Sequence, residues 1–210
     1  MARNGSDPES EAAAGSDSAL HVGDGGAGRF RVAPAPDKLR LVQDLLNTAP
    51  VTKRRGDVPD LLDAPDSAAK WLSGHGISAT SPGVNSLREL RDAIRRSLIA
   101  RDHGPDAVSG QAPVVIEASA RLRLDADGIV RFAPGPAGIP ALIEHVLTAI
   151  HDAQRAGTWR RLKLCRSQEC LVAFWDSSRN TSGVWHDVRT CGNAENLRKS
   201  RARRAADSTA

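Results

Sequence analysis

The residues best suited to chemistry lie in the last quarter of the chain, where Cys165-x4-Cys170 is followed, after fifteen residues, by His186-x4-Cys191. Thiolates and imidazoles are the donors that structural zinc prefers, in a tetrahedral set of four, and one tight turn can present two donors that lie a few residues apart. Two such turns close the sphere. All three cysteines of the chain fall in this window. An odd number cannot form a closed set of disulfides, which points to a reducing compartment and to thiolate chemistry. Cys165, Cys170, His186 and Cys191 are therefore expected to hold one structural Zn2+. With four protein donors in place there is no open position for water, so catalytic zinc is not expected. The alternatives are three unconnected thiols beside a surface histidine, or a redox switch built on released thiolates.

A module this small buries too little apolar surface to fold by itself, and the ion must stand in for a core. Trp159, Phe174, Trp175 and Trp185 are expected to pack around it, while Asp176 to Arg179 form a polar turn. Beyond the last ligand, Asn193 is placed to cap a helix that carries Arg198, Lys199, Arg201, Arg203 and Arg204. The block from Thr158 to Ala206 holds eleven Lys/Arg against four Asp/Glu, so the rest of a chain of net charge +4 is slightly acidic. A cationic helix on a rigid zinc base suits a phosphate backbone, and the five basic residues are the candidate nucleic-acid contacts. It suits an RNA or an acidic protein surface equally.

Upstream elements must position this module. Residues 1–36 are rich in Gly, Ala, Ser, Asp and Pro, and are expected to be disordered. Residues 37–157 are read as one α+β domain. Leu39, Val42, Leu45 and Leu46 recur at helical spacing behind Asp37, a possible cap, and Pro50 closes the run. Pro65 opens a second helix that stops at Gly74 and Gly76. Ser86 and Glu89 read as the capping box of a third, with Arg88, Arg91, Asp92, Arg95 and Arg96 on a solvated face. Pro113 to Ala118 reads as a strand. Arg121 to Leu124 and Ile129 to Phe132, joined at Asp127-Gly128, read as a hairpin with one wet face. A helix with Ile139, Ile143, Val146, Leu147 and Ile150 on its stripe runs to about Ala156, and residues 158–206 form the zinc module with its basic helix.

At the ligand residues the chain resembles the CGNR zinc finger family, named for a Cys-Gly-Asn-Arg run that starts at the last ligand. Here the run is Cys191, Gly192, Asn193 and Ala194. Before it, Phe174-Trp175-Asp176-Ser177-Ser178-Arg179-Asn180 and Trp185 resemble the family's "F-x-D-x-S-R-N … W" spacing. Asn47-Thr48, Leu61-Leu62, Trp71-Leu72 and Leu87-Arg88-Glu89-Leu90 resemble the ABATE-type domain that usually precedes such a finger. The resemblance implies a bacterial, stress-induced transcription regulator with the finger as its DNA binder. In this sequence His186 stands where the family usually has its third cysteine, and Ala194 replaces the arginine of the naming run. Charge at the helix start is thereby reduced, and the five basic residues further along are the better contacts.

The expected function is a cytoplasmic, zinc-binding regulator that binds DNA, with an N-terminal domain that receives a small-molecule or protein effector. The alternative is a zinc-stabilised adaptor that contacts an acidic protein. An enzyme is not expected: the chain has no glycine-rich phosphate loop, no G-x-S-x-G elbow and no carboxylate pair arranged for acid/base work. No apolar run approaches the roughly 20 residues needed to span a bilayer, so neither a signal peptide nor a membrane anchor is expected. Oligomeric state has no signature in the sequence.

Overall fold

The computed structural model describes residues 27–49, 58–80, 82–108, 110, 114–133, 137–167 and 170–207. The fold is α+β. In chain order it has α1 (Ala27–Phe30), α2 (Leu39–Leu46), α3 (Pro65–Gly74) and α4 (Val84–His103), then β1 (Arg121–Leu124), β2 (Val130–Ala133) and α5 (Ile139–Arg155). β3 (Leu162–Leu164), β4 (Ala173–Trp175) and α6 (Asn193–Asp207) complete it. Each strand pair, β1 with β2 and β3 with β4, is a separate antiparallel sheet.

The apolar stripes of α2, α3, α4 and α5 meet in one core around Leu45, Leu72, Leu90 and Leu142. Pro65 occupies the first turn of α3, as its fixed φ favours. The start of α4 differs from expectation. Gly83 takes φ +104 and turns the chain into the helix three residues before Ser86, whose backbone N–H already bonds the Gly83 carbonyl. Ser86 therefore lies inside the helix and no capping box forms. Asp37 likewise does not cap α2; Lys38 occupies the N-cap without a side-chain bond.

The arginines of α4 are not a solvated face. Arg91 is buried and donates to Thr48 Oγ1 at 3.1 Å and to Asp60 Oδ1 at 2.8 Å. Arg95 reaches the Leu46 carbonyl at 2.6 Å, and Arg29, from the other side, reaches the Thr48 and Pro59 carbonyls. Arg95 thus satisfies the last carbonyl of α2, while Arg91 and Arg29 bind the chain just beyond it, all at the end where the helix dipole favours positive charge. Burial lowers the Arg95 pKa to about 10, which still leaves it charged at neutral pH.

Part of the segment expected to be disordered is ordered. Phe30 and Ala35 are both 3% exposed. Ala35 N–H donates to Gln43 Oε1 at 2.6 Å, and Gln43 Nε2 donates to the Ala33 carbonyl at 3.1 Å. One buried phenylalanine, and a buried glutamine that pins the chain at Ala33 and Ala35, outweigh the low-complexity composition around them. Residues 1–26 of that expectation lie outside the described residues. Val114 to Ala118, expected as a strand, pairs with no other strand among the described residues.

The β1–β2 hairpin forms around Asp127-Gly128, with Gly128 at φ +76. It does not have the one dry face expected of it. Leu122 faces Phe132 and Leu124 faces Val130, yet Leu122 and Leu124 remain 66% and 68% exposed.

The second sheet is not a separate bead behind the helical body. Leu162, Leu164 and Ala173 belong to the body's own core. Asn47, at the end of α2, donates to the Ala173 carbonyl at 3.0 Å and accepts from Ala173 N–H at 2.9 Å, while Gln43 adds a 3.3 Å bond to the same carbonyl. One side-chain amide thus pairs with β4 as a neighbouring strand would. Ala173 is fully buried, so water cannot replace that amide. Asn47→Ala is expected to cost about 2–3 kcal/mol, because it leaves a buried N–H unpaired and removes one bond to the carbonyl. Urea unfolding of the zinc-loaded protein checks this, and a loss below about 0.5 kcal/mol contradicts the lock.

Candidate metal centre

Cys165 follows β3 directly and extends its pairing, with Cys165 N–H bonded to the Val172 carbonyl at 2.9 Å. Cys170 N–H bonds the Ser167 carbonyl at 2.8 Å, and Leu171 sits at φ +55 to reverse the chain into β4. This is the tight turn that the first pair requires. His186 arrives on a returning segment held alongside by a bond from Arg166 N–H to the Val184 carbonyl. Cys191 lies in a π-helical turn, Val188–Gly192, that runs straight into α6.

The four donor atoms converge, all within 4.8 Å of one another. His186 Nδ1 lies 3.3 Å from Cys170 Sγ and 3.6 Å from Cys191 Sγ. A tetrahedral zinc with ordinary Zn–S and Zn–N bonds sets its sulfur and nitrogen ligands about 3.5 Å apart, so Nδ1 is the imidazole atom in position to bind. Cys165, Cys170 and Cys191 are all buried.

Protonation shows why the cluster calls for a cation. The Cys170 thiol donates to the Cys165 sulfur and pulls the Cys165 pKa down to about 4. The same hydrogen bond drives Cys170 strongly upward, and burial raises Cys191. Three thiolates cannot share this buried space by themselves. A dication lets all three ionise, and with the His186 imidazole as fourth donor it completes a closed set. The four residues form a single zinc site in which the metal's chemistry is structural.

The surroundings fix the donors. Arg161 donates to the Asp176 and Ser178 carbonyls, and Lys163 donates to Asp176 Oδ2 at 2.7 Å and to the Thr181 and Gly183 carbonyls. Asp176, 3% exposed, also accepts from Ser178 N–H and Gly183 N–H. Burial opposes its charge, but the Lys163 ammonium and these N–H groups hold its pKa at about 2. The expected polar turn is therefore present as an ion-paired loop that carries the chain back to His186. Gly183 is needed there because an added Cβ would lie 2.8 Å from the Asp176 carboxyl carbon. Asp187 caps the ligand turn, accepting from Arg189 N–H at 2.8 Å and Thr190 N–H at 3.4 Å.

Asn193 is not the cap of the basic helix. It already has helical φ and ψ, and Asp187 does the capping one turn earlier. Cys191 consequently belongs to the same continuous helical run as α6. Arg198, Lys199, Arg201, Arg203 and Arg204 are all exposed, and no residue of α6 is buried. Arg198 pairs with Glu195, which further reduces free charge near the helix start.

Of the four aromatic residues expected at the metal, Trp185 packs on the ligand cluster, whereas Trp159 and Trp175 pack against the body's core. Alternation along β4 turns Phe174 to the face opposite Ala173 and Trp175. Phe30 takes the vacated role, packed with Cys165, Cys170, Val172 and Cys191. Its signal was an aromatic residue alone in a Gly/Ala-rich run. Asp187 carried a second missed signal, a capping side chain just before a helical ligand. His75, in the turn that ends α3, is 1% exposed and lies 4.3 Å from the Trp71 ring, and burial, with Arg40 nearby, lowers its pKa to about 4.

Residues 161–204 match the model of the CGNR zinc finger family. Residues 39–162, more than half of the chain, match the model of the ABATE family, described as "Putative stress-induced transcription regulator". The chain belongs to the ABATE family. A comparison with curated proteins finds no match. The ABATE region supplies α2 to α5 and ends on β3; the CGNR finger supplies all four metal donors. The glycine of the naming run has a packing reason here. A Cβ on Gly192 would come within 3.2 Å of the Trp185 ring and 3.3 Å of the Val188 side chain, so glycine lets that tryptophan lie against the ligand turn without a shift of its neighbours.

Purified protein is expected to carry about one zinc per chain. His186→Ala should lose it to a competing chelator at concentrations that leave the parent loaded. Elemental analysis after gel filtration measures both, and equal retention by the variant contradicts His186 as a ligand.

Proposed function

We propose that this chain is a cytoplasmic regulator of transcription that binds DNA through α6, with the ABATE body receiving the effector and the zinc serving structure rather than catalysis. The observation that carries this reading is the continuity of the ligand turn with α6. A cationic helix that continues directly from a turn holding a zinc ligand is held in direction by the metal, yet none of the residues of α6 itself is buried. A helix that is polar all round is commonly one that meets a partner or is laced by ion pairs, and the exposed cationic rows of α6 suit a polyanionic partner.

Lys199 and Arg203 are four residues apart and Arg198 and Arg201 three, so cations occupy neighbouring rows along the helix. Rows of this kind follow a phosphate backbone. They contribute affinity and register more than base selection. Among the described residues no helix is long and apolar enough to cross a membrane.

Binding to a DNA duplex should weaken steeply with salt, by close to 0.9 of a log-log slope unit per phosphate contact. Changing Arg198, Arg201 and Arg203 together to Ala should lower affinity at low salt and flatten that slope by roughly 3 units. Fluorescence anisotropy across a salt series reads both quantities. Unchanged affinity in the triple variant overturns the role of α6. Salt-sensitive binding to an acidic protein with none to a duplex favours the adaptor reading instead.

A further inference from the structure

The chain from Met1 to Gly26 carries five carboxylates, Asp7, Glu9, Glu11, Asp17 and Asp24, against the single cation Arg3. Where this segment joins the described fold determines what it can reach. It enters at α1, and three residues later Phe30 is buried in the cluster that contains Cys165, Cys170 and Cys191. The neighbouring Arg29 is tied to the Asn47, Thr48 and Pro59 carbonyls, so the entry point is fixed to the body as well. Cys191 is in the turn from which α6 departs. The acidic segment and the basic helix therefore start from the same small cluster of side chains.

Length and charge both allow them to meet. α6, with its 15 residues, is about 22 Å long at 1.5 Å per residue. Twenty-six residues cover about 39 Å even if wholly helical, and about 90 Å fully extended. Tethering at a shared root raises the effective concentration of one partner at the other to the millimolar range, where even a weak ionic contact is populated. α6 carries five cations against Glu195 and Asp207, and Lys199, Arg201 and Arg203 lie exposed along it.

We propose that the acidic segment 1–26 docks in cis on the cationic rows of α6 and occupies the surface that a polyanion would otherwise take. The docking stands on tether position, length and charge complementarity; its competitive consequence for DNA rests on the reading of α6 given above. Release then requires either a polyanion that outcompetes the segment or a change in the charge of either partner.

The test uses the full-length, zinc-loaded chain and a variant with Asp7→Asn, Glu9→Gln, Glu11→Gln, Asp17→Asn and Asp24→Asn, all outside the described fold. Backbone amide resonances of Asn193 to Asp207 are compared by NMR at low salt and again near 0.5 M NaCl, where screening removes exposed ionic contacts. The expected result is a shift of the α6 resonances between parent and variant at low salt that vanishes at high salt. A DNA duplex should bind the variant roughly three- to tenfold more tightly than the parent at low salt, as for a site free in only a tenth to a third of the molecules. Coincident α6 resonances at low salt overturn the docking, whatever the duplex does. Equal, measurable duplex affinities in parent and variant overturn it too, because an occupied helix cannot bind as well as a free one. If neither protein binds a duplex, the DNA reading of α6 fails, and the amide shifts alone support or overturn the docking.

Discussion

Three sulfur atoms and one imidazole nitrogen lie within 4.8 Å of one another in a buried space, and no arrangement of protons alone makes that space comfortable. Neutral thiols would leave weak donors in close contact, while more than one thiolate repels its neighbour where water cannot screen the charge. A divalent ion removes the conflict by balancing the negative charge and supplying four directed bonds. The rest of the C-terminal structure follows from closing that set. β3 and β4 hold the first pair of donors, the Asp176 loop returns the chain to His186, and the Asp187-capped turn brings in Cys191. α6 inherits its direction from this last step.

The second constraint is that the finger has no core of its own large enough to stand alone. It borrows one. Leu162, Leu164 and Ala173 are packed within the ABATE core, and the Asn47 amide satisfies both backbone groups of Ala173. Phe30 packs on the ligand cluster while its neighbour Arg29 binds the Thr48 carbonyl just beyond α2. α2 is thus the junction of body, finger and N-terminal segment. A displacement of α2 within the body would act on β4 directly through buried hydrogen bonds, and β4 is joined to the metal turn by two residues of chain.

What could be read from the sequence divides along a physical line. Most local signals were sound, the helix caps read at Asp37, Ser86 with Glu89 and Asn193 excepted: the spacing of Cys165, Cys170, His186 and Cys191, the Pro65 start and Gly74 end of α3, and the Asp127-Gly128 turn each act over a few residues. Signals that depend on distant partners were not. Asn47 and Ala173 are 126 residues apart, and nothing around Asn47 announces that its amide completes a strand. Arg91 and Arg95 read as surface residues because arginine usually is one, yet Thr48 and Asp60 draw Arg91 inward and the Leu46 carbonyl at the end of α2 draws Arg95. Ser86 and Glu89 matched a cap in type and spacing, but Gly83 at positive φ starts the helix earlier. Phe30 was lost to its surroundings, where composition outvoted a single aromatic side chain.

X-ray absorption at the zinc edge on the purified, metal-loaded protein tests the central claim most directly, since it counts donors by element and distance without relying on DNA, effector or partner. A closed site of the stated donors predicts three sulfur atoms at about 2.3 Å and one nitrogen at about 2.0–2.1 Å, with no oxygen in the coordination sphere. A sphere with fewer than three sulfurs, or with an oxygen in place of the imidazole nitrogen, contradicts it and leaves α6 without its anchor.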